Sequence, residues 1–184
     1  MTVPRLPLPL QLVRDAGHQV FTEARSANLV VLRGRGAPDE WDGWCTLSYL
    51  PEAHSGWLTR SWPCATRPGT VYLRSPLNPS GTATIAPGQY RRTHHRGLHR
   101  GRKALVQIPG TVVRVLRDPN RDTVYEPLVA DTGNALNIHD VGHPRMLAGC
   151  VGLATLHLEE LLREVEAIEP YQGLELTLTL IGAP

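Results

Sequence analysis

The sequence predicts a mostly β fold of the β-rich α+β kind, with one main helix, and three observations carry that expectation. Sixteen prolines and 17 glycines cut the 184 residues into short segments, which suits strands and turns better than a helical bundle. Several of those segments, such as ANLVVLRG, KALVQI, TVVRVLRD and LELTLTLI, have strand length and are bounded by turn signals. Only TLHLEELLREVEAIEP repeats its apolar residues at helical spacing. With 41% hydrophobic and 20% charged residues, the chain is long enough to bury a core without staples.

The elements follow in order. MTVPRLPLPLQLVRDAG is apolar but interrupted by Pro4, Pro7 and Pro9, and no cleavage-like site follows, so it does not read as a secretory signal. No apolar run reaches the length of a membrane span; the expectation is a soluble protein made in the cytosol. ANLVVLRG reads as a strand ending at Gly34. The stretch 38–68 holds Trp41, Trp44, Trp57 and Trp62, either as rings anchoring a loop-rich core or as a sugar- or partner-binding face; anchoring is favoured because tryptophan is well buried on average. Residues 1–65 are read as an N-terminal extension carrying this segment, and 66–184 as the main domain. From Thr66 short β-like pieces alternate with Pro/Gly turns. KALVQI, Pro109-Gly110 and TVVRVLRD make a hairpin signal.

In the helical stretch, Leu158, Leu161, Leu162, Val165 and Ile168 form the apolar face. Thr155 is placed to cap its start, Glu159 and Glu160 suit the first turn, and Pro170 stops it. LELTLTLI then alternates, which predicts a strand with one buried and one wet face.

Net charge is +2, too small to name a partner. The three cysteines are not spaced as zinc ligands, and an odd number argues against a disulfide framework. Cys45 and Cys64 are close enough in sequence to pair or simply to pack, and packing fits a reducing compartment.

Chemistry concentrates in LNIHDVGHPRMLAGCVGL, from Leu136 to Leu153. A cysteine attacks a carbonyl as thiolate, so it needs a base or positive potential beside it. Cys150 precedes the predicted helix start, and Gly149 and Gly152 leave the backbone unencumbered for an oxyanion. His139 ends an apolar run, where a strand end would hold a base rigidly, with an Asp140 carboxylate or a backbone carbonyl fixing its tautomer. Spacing alone leaves two core neighbours as an equal reading.

LNIH followed after a loop by AGCVGL, with GTATIAPGQYRRTHHRGLHRGRKALVQIPGTVVRVLRDPNRD before them, resembles the L,D-transpeptidase (YkuD-like) catalytic domains. The likeness is to a divergent phage-associated branch and covers roughly residues 66–165. The resemblance implies a β-sandwich or barrel of that family in 66–184, with His139 as base, Cys150 as nucleophile and backbone at Gly149 and Val151 near the reacting carbonyl. It also implies that His99, Arg100, His143 and Arg145 meet anionic groups of the substrate. Leu147-Ala148-Gly149-Cys150 stands where the family has Ser/Thr-His-Gly-Cys, Gly152 stands where Arg or Asn is usual, and the spacer from His139 is shorter.

Two other stretches have duller readings. RRTHHRGLHRGRK is strongly basic and contains His94, His95 and His99; without interleaved aromatics a nucleic-acid face is disfavoured, and no ligand spacing supports zinc. Asp118, Asn120 and Asp122 alternate as in a calcium loop, but Thr123 replaces the turning glycine, so a simple turn is favoured.

The resemblance implies cysteine-based acyl transfer or hydrolysis on peptidoglycan stem peptides, without organic cofactor or metal. A wall enzyme made in the cytosol without a leader would be released by lysis, exported by another route or carried on a phage tail or injection particle; the resemblance favours the particle, whose proteins would be its partners. The competing class is a structural or docking component of such a particle, with the same fold and an inactive pair.

Overall fold

The computed structural model describes residues 5–36, 39–73, 82–90, 96–99, 102–108, 112–118, 121–127, 136–168 and 176–183. Among them a mixed sheet of nine strands is joined by a second sheet of three. The fold is mostly β, as composition and turn density predict.

The strands are β1 (Ser26–Arg33), β2 (Gly43–Leu50), β3 (Leu58–Ala65), β4 (Thr82–Ile85), β5 (Gly88–Tyr90), β6 (Arg96–His99), β7 (Arg102–Ile108), β8 (Val112–Asp118), β9 (Arg121–Pro127), β10 (Leu136–Asp140), β11 (Val151–Leu153) and β12 (Thr177–Ile181). The helices are α1 (Leu8–Asp15), the single turn α2 (Thr70–Leu73) and α3 (Thr155–Ile168). The large sheet runs β5-β12-β1-β2-β3-β11-β10-β7-β6, and the small one β4-β8-β9. No described helix is long and apolar enough to cross a membrane.

Alternation builds the core. Leu29 and Val31 of β1, Cys45 and Leu47 of β2, Trp62 and Cys64 of β3, and Leu178 and Leu180 of β12 share one face with the buried leucines of α3. The helix is fastened by Trp62, whose Nε1 donates to Glu160 at 2.8 Å. On the other face Leu10 and Val13 of α1 bury Val30. That helix is absent from the sequence reading because its prolines look disruptive. Pro7 is the residue before the helix and Pro9 lies in its first turn, where a missing N–H costs nothing.

Residues 1–65 supply three strands lying between β12 and β11, so the boundary at 65 falls inside one sheet. A buried network fastens this region. Arg33 donates to Thr66 Oγ1 (3.1 Å), Thr84 Oγ1 (3.1 Å) and the Ile85 carbonyl (2.8 Å). Asp42 accepts from Thr66 N and Oγ1, each at 2.6 Å, and pairs with Arg67.

Four sequence expectations are corrected. KALVQI and TVVRVLRD do not pair: β7 lies between β6 and β10, whereas β8 joins β4 and β9 in the other sheet, so the link containing Pro109-Gly110, outside the described residues, passes between sheets. Thr155 is the first residue of α3 rather than its cap, since Leu158 N donates to the Ala154 carbonyl at 2.9 Å. Strand β12 has no wet face; Thr177 and Thr179 are buried because β1 and β5 flank the strand and α1 lies against it. The tryptophans divide: Trp62 is core and Trp57 is half-buried beside α1, but Trp41 and Trp44 are exposed. Pro170 lies outside the described residues.

Candidate active site

Strands β10 and β11 are parallel neighbours, with Ile138 opposite Val151, His139 opposite Gly152 and Asp140 opposite Leu153. The ten residues between them contain a 3-10 turn, Pro144–Met146. Side chains alternate along strands, so Ile138, Val151 and Leu153 enter the core beside α3 while His139 and Gly152 share the opposite face. Cys150 lies just before β11, at the end of the connecting loop, and belongs to the buried cluster that includes Val141 and Leu147.

The His139 ring is oriented by the backbone. Its Nδ1 lies 2.7 Å from the Asp140 carbonyl oxygen. A carbonyl only accepts, so Nδ1 carries a proton and the ring is held in place by the backbone. Of the two orienting groups the sequence suggests, the carbonyl is the one used; the Asp140 carboxylate faces the Thr155 hydroxyl at 3.5 Å.

Cys150 is 6% exposed and packs with Val141 and Leu147. Gly149 before it has φ 137°, a conformation that favours glycine, and Val151 opens β11 with its side chain buried. The expected help from a helix start is corrected: α3 begins beyond β11, about 13 Å of extended chain from Cys150, and a helix dipole fades within one turn.

Cys45 and Cys64 differ in kind. No disulfide joins any of the three cysteines. Burial pushes the Cys45 thiol up to about 12 and raises that of Cys64, helped by Cys45 and Asp42 nearby. These are packed, unreactive thiols.

Gly152, expected only to leave the backbone unencumbered, and Gly69 have packing roles that the sequence reading misses. A Cβ at Gly152 would lie 2.6 Å from Val141 Cγ1 and 3.0 Å from Leu147 Cδ1, so the space beside His139 is filled from the connecting loop. Gly69 donates to the Leu147 carbonyl at 2.9 Å and lies so close to the Arg145 backbone that no side chain fits. It holds the loop from the α2 side, where Asp39 accepts from Thr70 N at 2.8 Å. Only their glycine identity marks them in the sequence.

The remaining candidates lie as follows. His143 and Arg145 are exposed on the loop, and His143 Nδ1 accepts from Arg145 N at 3.2 Å, starting the 3-10 turn. The β6 backbone brings Gly97 into the row of His139, two strands away through Ala104; His99 ends that strand. Arg100, His94 and His95 lie outside the described residues. Asp118 pairs with Arg121 where β8 turns into β9, a hairpin closure whose Asn120 lies outside the described residues. Among the described residues no group of His, Cys, Asp and Glu is arranged to hold a metal. No family model, curated protein or solved structure matches this chain.

Proposed function

We propose that this chain is a cysteine acyltransferase or hydrolase acting on the stem peptides of peptidoglycan, with a domain of the L,D-transpeptidase-like kind. The observation that carries the reading is the parallel pairing of β10 with β11, which sets His139 opposite Gly152, two residues beyond Cys150, with the His139 ring held at Nδ1 by the Asp140 carbonyl. In the first step Nε2 takes the proton from Cys150 Sγ, and the thiolate attacks a peptide carbonyl carbon. Backbone amides from Gly149 to Val151 hold the oxyanion. The tetrahedral adduct expels the amine, which takes the proton back from His139, leaving an acyl thioester. An acceptor amine or water, deprotonated by His139, then releases Cys150. His143 and Arg145, exposed on the loop that ends at Cys150, suit a substrate carboxylate.

The sequence resemblance supports the substrate class and a setting in a phage tail or injection particle. The test is incubation of the protein with purified peptidoglycan and mass spectrometry of the fragments. New or lost cross-links, abolished by Cys150→Ala and by His139→Ala, are the expected result. An unchanged fragment profile overturns the enzymatic reading.

A further inference from the structure

Trp44, the second residue of β2 and paired with neighbours on both sides, is 53% exposed, although so large an aromatic surface gains much by burial. Its surroundings are specific. On the face that includes His139, the β2–β3 ladder sets Trp44 opposite Pro63, Thr46 opposite Ser61 and Ser48 opposite Thr59. Trp57, one residue before β3, continues the alternation at the far end. The buried Thr46 hydroxyl lies 2.8 Å from the Ser61 hydroxyl, and that of buried Ser48 lies 3.2 Å from Thr59. Ser61 and Thr59 are themselves exposed, so the inner hydroxyls fix the outer ones.

The result is a strip with the exposed Trp44 ring at one end, two oriented hydroxyl pairs along it and the half-buried Trp57, packed beside α1, at the other. From Pro63 to Trp57 is six residues of extended chain, about 20 Å. None of these residues carries a charge. Arg60, the charged residue of β3, lies on the opposite face and pairs with Glu164 of α3 at 2.9 Å. The strip is also continuous with the candidate site: β3 runs from Pro63 to Ala65, which is opposite Gly152, which is opposite His139.

An exposed ring stacks on the C–H face of a sugar, and fixed hydroxyls exchange hydrogen bonds with sugar hydroxyl and acetamide groups. An uncharged strip suits an uncharged chain. We propose that this strip binds an N-acetylhexosamine polysaccharide, with a sugar ring stacked on Trp44. The proposal rests on the peptidoglycan reading, in which the glycan strand lies beside the stem peptide, and it extends that reading to a second substrate contact.

The test uses the full chain carrying Cys150→Ala, titrated with the tetrasaccharide of N-acetylglucosamine and followed by tryptophan fluorescence and calorimetry. Saturable binding is expected, weakened roughly tenfold by Trp44→Ala and retained in Trp44→Phe. Trp41→Ala removes an exposed ring outside the strip and should leave binding unchanged. Affinity should hold between low and high salt, since the ligand has no charge to screen. Absence of saturable binding, equal weakening by Trp41→Ala, or a steep salt dependence overturns the proposal. So does sedimentation showing self-association that Trp44→Ala abolishes, which makes the strip an interface between copies. Because no turnover is read, this result and that of the cross-link assay fail separately.

Discussion

Gly152 stands opposite His139 in the parallel ladder, and the place its side chain would take is filled by Val141 and Leu147 from the loop that ends at Cys150. Gly152, the loop and Cys150 are thus packed as one unit. A longer side chain at position 152 would have to displace that loop, so the arginine or asparagine usual in the family that the sequence resembles does not fit here.

Gly152→Ala therefore overpacks the site. The added methyl meets Val141 Cγ1 at 2.6 Å, and overpacking of this kind costs about 1–3 kcal/mol. Thermal unfolding should show a lowered midpoint. Cys150 should become more accessible to alkylation as the loop lifts; an unchanged midpoint and labelling rate would show that the loop does not pack against Gly152 as described.

Removing residues 1–65 should abolish folding rather than trim an accessory piece. The deletion takes β1, β2 and β3 from the large sheet, leaving β12 and β11 without the strands that join them. It also removes Arg33 and Asp42 from a buried charge network, a loss costing about 3–5 kcal/mol on its own. Circular dichroism and thermal unfolding of 66–184 should show no cooperative transition. A folded, active 66–184 fragment would restore the boundary suggested by composition.

The sequence is informative where one periodicity dominates. The apolar face of α3 and the strand β1 can be read directly, because their alternation is local. The partners of β7 and β8 cannot, since Pro109-Gly110 offers the same turn signal whether the chain folds back or crosses between sheets. At the site, His139 and Cys150 are legible as residue types. Their placement at neighbouring strands is not, because it depends on the register that pairs His139 with Gly152. Nor is the exposure of Trp44, for an aromatic residue in a strand signals core as readily as surface.

The two packed thiols predict a loss of stability in alkali. Burial raises the Cys45 thiol from 9.0 to about 12 and moves Cys64 upward as well. In the unfolded chain a thiol begins to ionise near pH 9, while in the folded protein it stays protonated. The folded state then holds more protons, so its stability is full below pH 9 and falls as pH rises toward 12, by roughly 1.4 kcal/mol per pH unit for one thiol. Denaturant unfolding between pH 8 and 10.5 should show this fall. Cys45→Ala should make it shallower, and an equal slope in the variant would rule the thiol out as its source.

The same contrast makes Cys150 the thiol to watch. Cys45 and Cys64 are wholly buried and held protonated, so iodoacetamide should reach them only when the protein opens. Cys150 is 6% exposed and ends the loop leading into the strand paired with that of His139. It should alkylate first in peptide mass spectrometry. Replacing His139 with Ala removes both the proton acceptor and the cation that stabilises a thiolate, so labelling near pH 7 should slow. At high pH, where hydroxide does the same work, variant and parent rates should converge. Should Cys150 react no faster than the other two, or should His139→Ala leave its pH profile unmoved, the pair is not catalytic, and a structural role within a larger particle becomes the better account of this fold.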